Sequence, residues 1–151
     1  MNGTVESAET AQQKVIDSIF WTLRLSFGLV PLLAGLDKFF NLLTQWPRYI
    51  APGLAHALPM TAQHFMYLVG VIEIVAGLAV LLTPWTKLFA SVVAAWLVGI
   101  ALNLVAAGFY DIAVRDLVMA ATAISLARLT SVAQVGAVHR HALREAAVSS
   151  A

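Results

Sequence analysis

The stretch HFMYLVGVIEIVAGLAVLL, residues 64–82, decides how this chain folds, because it is mainly apolar after His64 and carries a single acid, Glu73, near its middle. A helix needs about 20 mainly apolar residues to cross the roughly 30 Å of hydrocarbon in a bilayer. A carboxylate near the middle of that layer must be protonated, paired with a cation or open to a polar cavity. The stretch therefore predicts a membrane helix whose acid faces other parts of the protein.

The rest of the chain has the composition of a membrane protein. Of its 151 residues, 60% are hydrophobic and 11% are charged, and the mean hydropathy is +0.83. A soluble domain of this composition would expose large apolar patches to water, which soluble proteins rarely do. We therefore predict an all-α integral membrane protein, a bundle of four transmembrane helices at about residues 19–40, 64–82, 88–107 and 112–131.

Polar segments flank and separate the predicted spans. We interpret residues 1–18 as a polar N-terminal tail, residues 41–62 as an interfacial loop outside the cytoplasm, and residues 132–151 as a cytoplasmic C-terminal tail. With both termini in the cytoplasm, six of the nine Lys and Arg residues lie on that side. Because cytoplasmic flanks are enriched in Lys and Arg, this count favours N and C termini inside.

Small and polar residues recur on one face of each of the first three spans. Helices in lipid gain little from hydrophobic burial, so they associate through small residues and polar links. We therefore predict that these faces point into the bundle. They comprise Arg24, Gly28, Pro31, Gly35 and Lys38 in the first span, Gly70, Glu73 and Gly77 in the second, and Ser91, Ala95, Gly99, Asn103 and Ala107 in the third.

Glu73 is the candidate catalytic residue, as a group that takes up protons. The alternative is that it forms a structural ion pair or an interhelical hydrogen bond. Arg24 and Lys38 are the two cations whose depth in the first span lets a long side chain reach it. For Arg24 the alternative is that the side chain extends to the cytoplasmic interface.

The outer half of the predicted bundle holds further polar residues. A quinone head group needs donors such as Lys, Arg, His or Asn for its carbonyl oxygens, while its tail stays in lipid. The alternative is that Asp37-Lys38 and Arg115-Asp116 are charged helix ends at the water boundary. The polar residues of the outer half are Asp37, Lys38, His64, Glu73, Asn103, Asp111, Arg115 and Asp116. The candidate cofactor-binding residues are Lys38, Asn103, Arg115, Asp116 and Arg24.

Several functions are disfavoured by what the chain contains. It has no cysteine, which excludes disulfides, thiolate ligands and iron–sulfur clusters. His56 and His64 are separated by Pro59, and His139 and His141 do not share a helix face, so we expect no metal site. The net charge of +1 gives no reason to expect a nucleic-acid partner.

Three features together resemble the DoxX-like family of four-helix bacterial membrane proteins. They are Arg24 early in the first span, GLDKF at residues 35–39 and GVIEIVAG at residues 70–77, within a match over about residues 19–130. The resemblance implies a bundle in the bacterial cytoplasmic (inner) membrane, with Arg24, Lys38 and Glu73 at the family's polar positions. The family includes the membrane subunit of a thiosulfate–quinone oxidoreductase, and members that look like partners of sulfur-transfer and superoxide-detoxifying enzymes in redox stress.

The leading hypothesis is a small membrane subunit associated with a redox or sulfur-transfer enzyme, with a quinone as its candidate cofactor in the outer half of the bundle. As an enzyme, it would be part of a quinone-linked oxidoreductase. One alternative is a non-catalytic assembly or scaffold subunit that contacts other chains or a second copy of itself. Another is a small-molecule or proton-coupled transporter, against which the lack of a visible inverted repeat counts.

Overall fold

The computed structural model describes the backbone of residues 2–149 and the side chains of residues 10–131. Within those residues it contains helices and no strands, and 86% of the chain is helical. A short 3-10 helix occupies Trp46–Tyr49. The α-helices are α1 (Asn2–Phe40), α2 (Pro52–Ala57), α3 (Ala62–Leu82), α4 (Thr86–Ala106) and α5 (Tyr110–Ser149).

The helices α1, α3 and α4 each contain a segment long and apolar enough to cross a membrane, which for α1 is Thr10–Phe40. The second and third predicted spans agree closely with α3 and α4. The first and fourth lie within longer helices, because α1 and α5 continue through residues that we interpreted as tails. The helix α5 is not among the three apolar spans in the described part of the chain.

The bundle consists of two closely packed helix pairs, α1 with α3 and α4 with α5. The first pair is antiparallel. Arg24, in the middle of α1, contacts the last turn of α3, whereas Lys38, near the end of α1, contacts Glu73 in the middle of α3. The helix α5 also packs on α1, and α3 packs on α4, so the two pairs form one bundle.

Glycines bring the backbones of α1 and α3 into direct contact. A Cβ atom placed on Gly35 would lie 2.6 Å from the carbonyl oxygen of Gly70. A Cβ atom on Gly77 would lie 2.5 Å from the carbonyl oxygen of Gly28. Such distances leave no room for a side chain, which is how small residues hold membrane helices close together. The inward faces predicted for the first two spans are therefore confirmed.

The inward face predicted for the third span is wrong for its first three members, whereas Asn103 on the same face does bind another part of the protein. Ser91, Ala95 and Gly99 are exposed, and a Cβ atom on Gly99 would meet nothing within 4 Å. The helix carries a second ribbon of small residues, and this one packs against large apolar side chains from the other helices, among them Phe27, Val80 and Leu126. Small size alone therefore did not decide which face turned inward. The buried face of α4 comprises Thr86, Ala90, Val93, Ala94, Ala101 and Leu104.

Candidate functional site

A buried ion pair connects α1 to α3. Nζ of Lys38 lies 2.5 Å from Oε2 of Glu73, and the two residues are only 4% and 7% exposed. Of the two cations predicted to reach Glu73, Lys38 is the one that does. The glycine contact explains the pairing, because Gly35 and Gly70 bring the helix backbones together one turn away and leave the lysine beside the acid.

Arg24 instead binds the end of α3. Its guanidinium donates hydrogen bonds to the carbonyl oxygens of Val80 (3.0 Å), Leu81 (3.0 Å) and Thr83 (2.7 Å). The last carbonyl groups of a helix have no partner within the helix, and a cation there also complements the helix dipole. Arg24 thus stabilises the turn between α3 and α4, at a distance from Glu73.

Two further polar side chains face the ion pair, one from α4 and one from α5. Asp116 is 7% exposed and lies within electrostatic range of both Glu73 and Lys38. The indole N–H of Trp96 is directed at the carboxylate of Glu73, although the contact falls short of the geometry of a full hydrogen bond. We call Lys38, Glu73, Trp96 and Asp116 the buried polar cluster, to which each of the four long helices contributes one residue.

The segment after α1 places an aromatic ring on this cluster. Nζ of Lys38 lies 3.8 Å from the centroid of the Trp46 ring, a favourable cation–π contact. The indole nitrogen of Trp46 donates to Asp37 at 2.7 Å, and Asp37 also accepts from the backbone N–H groups of Leu42 and Leu43. Asp37 therefore fixes the position of Trp46, and both members of the Asp37-Lys38 dipeptide are buried.

Asn103 anchors the same segment to α4. Its Nδ2 donates to the carbonyl oxygen of Tyr49 at 2.7 Å, and its Oδ1 accepts from the backbone N–H of Ala51 at 2.9 Å. A buried backbone group without a hydrogen bond is expensive, so these two bonds allow the segment to pack on the bundle. Asn103 was predicted to bind a quinone, but its side-chain oxygen and nitrogen are both hydrogen-bonded to the backbone.

The structure brings together only part of the predicted site. Lys38, Glu73 and Asp116 converge, whereas Arg115 lies exposed beside Asp111, with their charged atoms 3.9 Å apart. The remaining candidates, Asn103 and Arg24, hold backbone groups elsewhere. Among residues 10–131, no three His, Asp or Glu side chains are placed so that they could hold a metal ion.

The two tryptophans of the site were missed from the sequence. Trp46 was placed only within the interfacial loop predicted at residues 41–62, and Trp96 was not considered. A signal for Trp96 was present, because an indole N–H within an apolar span needs an acceptor that lipid does not supply. Its position in the span next to that of Glu73 could have suggested a shared polar site.

An all-helical bundle with three apolar helices of membrane-spanning length and charged residues at its centre defines a multi-pass membrane protein with an internal polar site. A family model described as DoxX matches residues 19–107, which is more than half of the chain. The chain therefore belongs to the DoxX family, as its sequence motifs suggested. No curated protein and no solved structure matches it.

Proposed function

We propose that this protein is a small membrane subunit of a redox system and that its buried polar cluster binds the head group of a quinone. One observation carries the proposal: a cation, two carboxyl groups and the indole N–H of Trp96 lie together inside an apolar bundle. A quinone offers carbonyl oxygens to such donors and an apolar body to the surrounding side chains. Membership of the DoxX family, which is often linked to membrane redox or stress functions, supports it.

The residues of the cluster have distinct parts in this function. Lys38 and Trp96 carry the donors that face a bound carbonyl group. Glu73 and Asp116 are the acids that exchange protons with the ligand, since reduction of a quinone to a hydroquinone consumes two electrons and two protons. Trp96 takes the place that we had given to Asn103 and Arg115, whose polar groups are engaged elsewhere.

The electrons must come from outside the chain's own side chains. The protein has no cysteine, so it has no thiol or iron–sulfur group with which to carry them. An associated redox or sulfur-transfer enzyme is the source that we propose, and the quinone accepts the electrons at the cluster. The chain is then the membrane subunit of a quinone-linked oxidoreductase.

Exchanging Glu73 for Gln tests this function, because the amide keeps the size of the side chain and removes its proton chemistry. Loss of one acid–base group typically slows a reaction by 10²–10⁴-fold, and we expect quinone reduction by native membranes to fall by about tenfold or more. Quinone should also be found in lipid extracts of the purified wild-type protein.

Asp111→Asn is the matched control, because Asp111 is an exposed acid of the same bundle and should be replaceable without effect. The proposal fails if the purified protein carries no quinone and Glu73→Gln membranes reduce quinone at the wild-type rate.

A scaffold role is the second candidate, and the outward face of α4 favours it. Ser91, Ala95 and Gly99 form an exposed ribbon of small residues, the kind of surface on which another membrane helix packs closely. Under this candidate, Glu73→Gln changes how much of a complex is recovered, and the turnover of the recovered complex stays the same. The comparison of yield with turnover separates the two functions.

We also propose that α5 crosses the membrane as the fourth span and that both termini lie in the cytoplasm of a bacterium. Val114, Leu117, Val118 and Ile124 of α5 are exposed, as lipid-facing residues should be, whereas Asp116 between them is buried. The helix packs along α4 and contacts α1 as well.

Reporter fusions test this topology. A reporter active only in the cytoplasm should work when fused after residue 151, and one active only outside should work when inserted at Gly108, in the turn between α4 and α5. Activity of the same reporter at both positions would contradict the fourth crossing.

A further inference from the structure

We propose that residues 41–51, which we call the cap, turn Lys38 toward Glu73 and close this ion pair to water at the end of the bundle where α1 ends. Trp46 is the side chain that closes the site, and Asn103 is the positioning residue that anchors the cap to α4. The inference goes beyond the proposed function, because the contacts that carry it lie within the chain and do not depend on which ligand binds.

The direction of the Lys38 side chain is unusual for its place in the chain. The helix α1 ends at Phe40, two residues later, which is only about 3 Å farther along the helix axis. A lysine near the end of a membrane helix usually extends its ammonium group to the interface. The side chain of Lys38 instead turns into the bundle and is 5% exposed. Besides Glu73, the ammonium group contacts the ring of Trp46, whose centroid lies 3.8 Å from Nζ.

The residue after α1 brings the chain back over the end of the helix. Asn41 has a φ of +52°, a left-handed conformation that asparagine adopts more readily than most residues and that often ends a helix. Its side chain accepts a hydrogen bond from the backbone N–H of Trp46 and donates one to Gln63 in the first turn of α3. Together with the bond from the Trp46 indole to Asp37, these contacts hold the ring on the ammonium group.

The other end of the cap is anchored to α4. Ile50 and Ala51 are each 6% exposed, so their backbone groups are shielded from water and need partners within the protein. Asn103 accepts a hydrogen bond from the N–H of Ala51 and donates one to the carbonyl oxygen of Tyr49. The ring of Tyr49 also packs edge-on against Phe109, in the turn between α4 and α5, with 4.9 Å between the centroids. The cap is therefore held at both ends, beside α1 and on α4.

Closure by the cap and pairing of the lysine stabilise each other. Trp46 covers an ammonium group that Glu73 keeps in place, and Glu73 keeps its cation because Trp46 blocks the way to the interface. Such coupling is reciprocal, so a change that releases the cap at Asn103 should also free Lys38, although the hydrogen bonds of Asn103 go to the backbone of the cap. A molecule in the water at this end reaches the ion pair only when the cap is open.

Acylation of the lysine amines of the purified full-length protein in detergent, with a water-soluble succinimidyl ester, tests the cap. The chain has three lysines, Lys14, Lys38 and Lys87, so mass spectrometry can follow each of them in one sample. Lys14 and Lys87 are exposed and serve as internal standards. In the wild type, we expect Lys38 to react far more slowly than Lys87 and equally fast once the protein is unfolded. Asn103→Leu should raise the rate at Lys38 by about tenfold or more, since two hydrogen bonds of the cap are lost.

Arg24→Gln is the matched control. It removes another side chain that holds backbone carbonyl groups, about 20 Å along α1 from Lys38, and should leave Lys38 protected. Trp46→Ala removes the closing ring itself, so it tests the cap even if Asn103→Leu does not fold. Trp46→Phe keeps a ring over the ammonium group and should raise the rate at Lys38 less than Trp46→Ala does.

A wild-type Lys38 that reacts as fast as Lys87 overturns the proposal. Unchanged protection of Lys38 in Trp46→Ala and Asn103→Leu does so too. Release of Lys38 in Arg24→Gln to the same extent would mean that any loosening of the fold exposes it, which also contradicts a specific cap. Protection and release as expected, in a protein that binds no quinone, support the cap and contradict the proposed function.

Discussion

Replacing Lys38 by Met should destabilise the folded protein by about 3–5 kcal/mol, the usual cost of removing one partner of a buried ion pair. The reason is that Glu73, only 7% exposed, then has no cation beside it within an apolar bundle. The Met side chain has nearly the shape of the aliphatic part of lysine. The loss of stability therefore reflects the missing charge more than altered packing. The free energy of unfolding in detergent, followed by circular dichroism, measures the effect.

The double variant Lys38→Met/Glu73→Leu separates the ion pair from other causes. Removing both charges leaves no uncompensated group at this contact, so the double variant should be more stable than Lys38→Met alone. Lys87→Met is the matched control, because Lys87 is exposed at the start of α4 and its charge can be lost without cost. If the double variant is destabilised by the sum of the effects of Lys38→Met alone and Glu73→Leu alone, the pair has no energetic coupling.

Replacing Gly35 by Ala should also weaken the fold, by about 1–3 kcal/mol, which is typical of an overpacked interior. The new methyl group would lie 2.6 Å from the carbonyl oxygen of Gly70 and 3.1 Å from Cβ of Glu73. A backbone carbonyl cannot turn aside as a flexible side chain can, so α1 and α3 must separate. Thermal unfolding in detergent should show a lower midpoint than that of the wild type.

Gly99→Ala is the control for this change, because it makes the same substitution in a membrane helix with nothing within 4 Å of the new atom. Alanine is favoured over glycine in a helix by about 0.5–1 kcal/mol, so Gly99→Ala should be as stable as the wild type or slightly more so. Equal destabilisation by Gly35→Ala and Gly99→Ala would mean that the close approach of α1 and α3 does not contribute to stability.

These two predictions are linked through the site. The glycine contact sets the distance between α1 and α3, and that distance places Lys38 against Glu73. A variant that separates the helices should therefore weaken the ion pair even though it changes no charged residue. The stability of the bundle and the chemistry of the buried polar cluster depend on the same contact.

The sequence by itself determined the helices and the inward direction of the acid. The span predicted at residues 64–82 is α3, and that predicted at 88–107 is α4, since apolar character over some 20 residues is a local property of the chain. The spacing of Gly70, Glu73 and Gly77 also placed all three on one buried face of α3. Periodicity along one helix is sufficient for these conclusions.

Only the tertiary structure decided which residues meet. Arg24 and Lys38 share a face of α1, and the offset at which α1 crosses α3 determined that Lys38 reaches Glu73 while Arg24 binds the end of the helix. Adjacent residues on a helix point about 100° apart, so Asp116 turns to the cluster and Arg115 turns away. The inward face of α4 was predicted wrongly for the same reason. Contacts between helices depend on their offset and rotation, and neither is encoded in the pattern of a single segment.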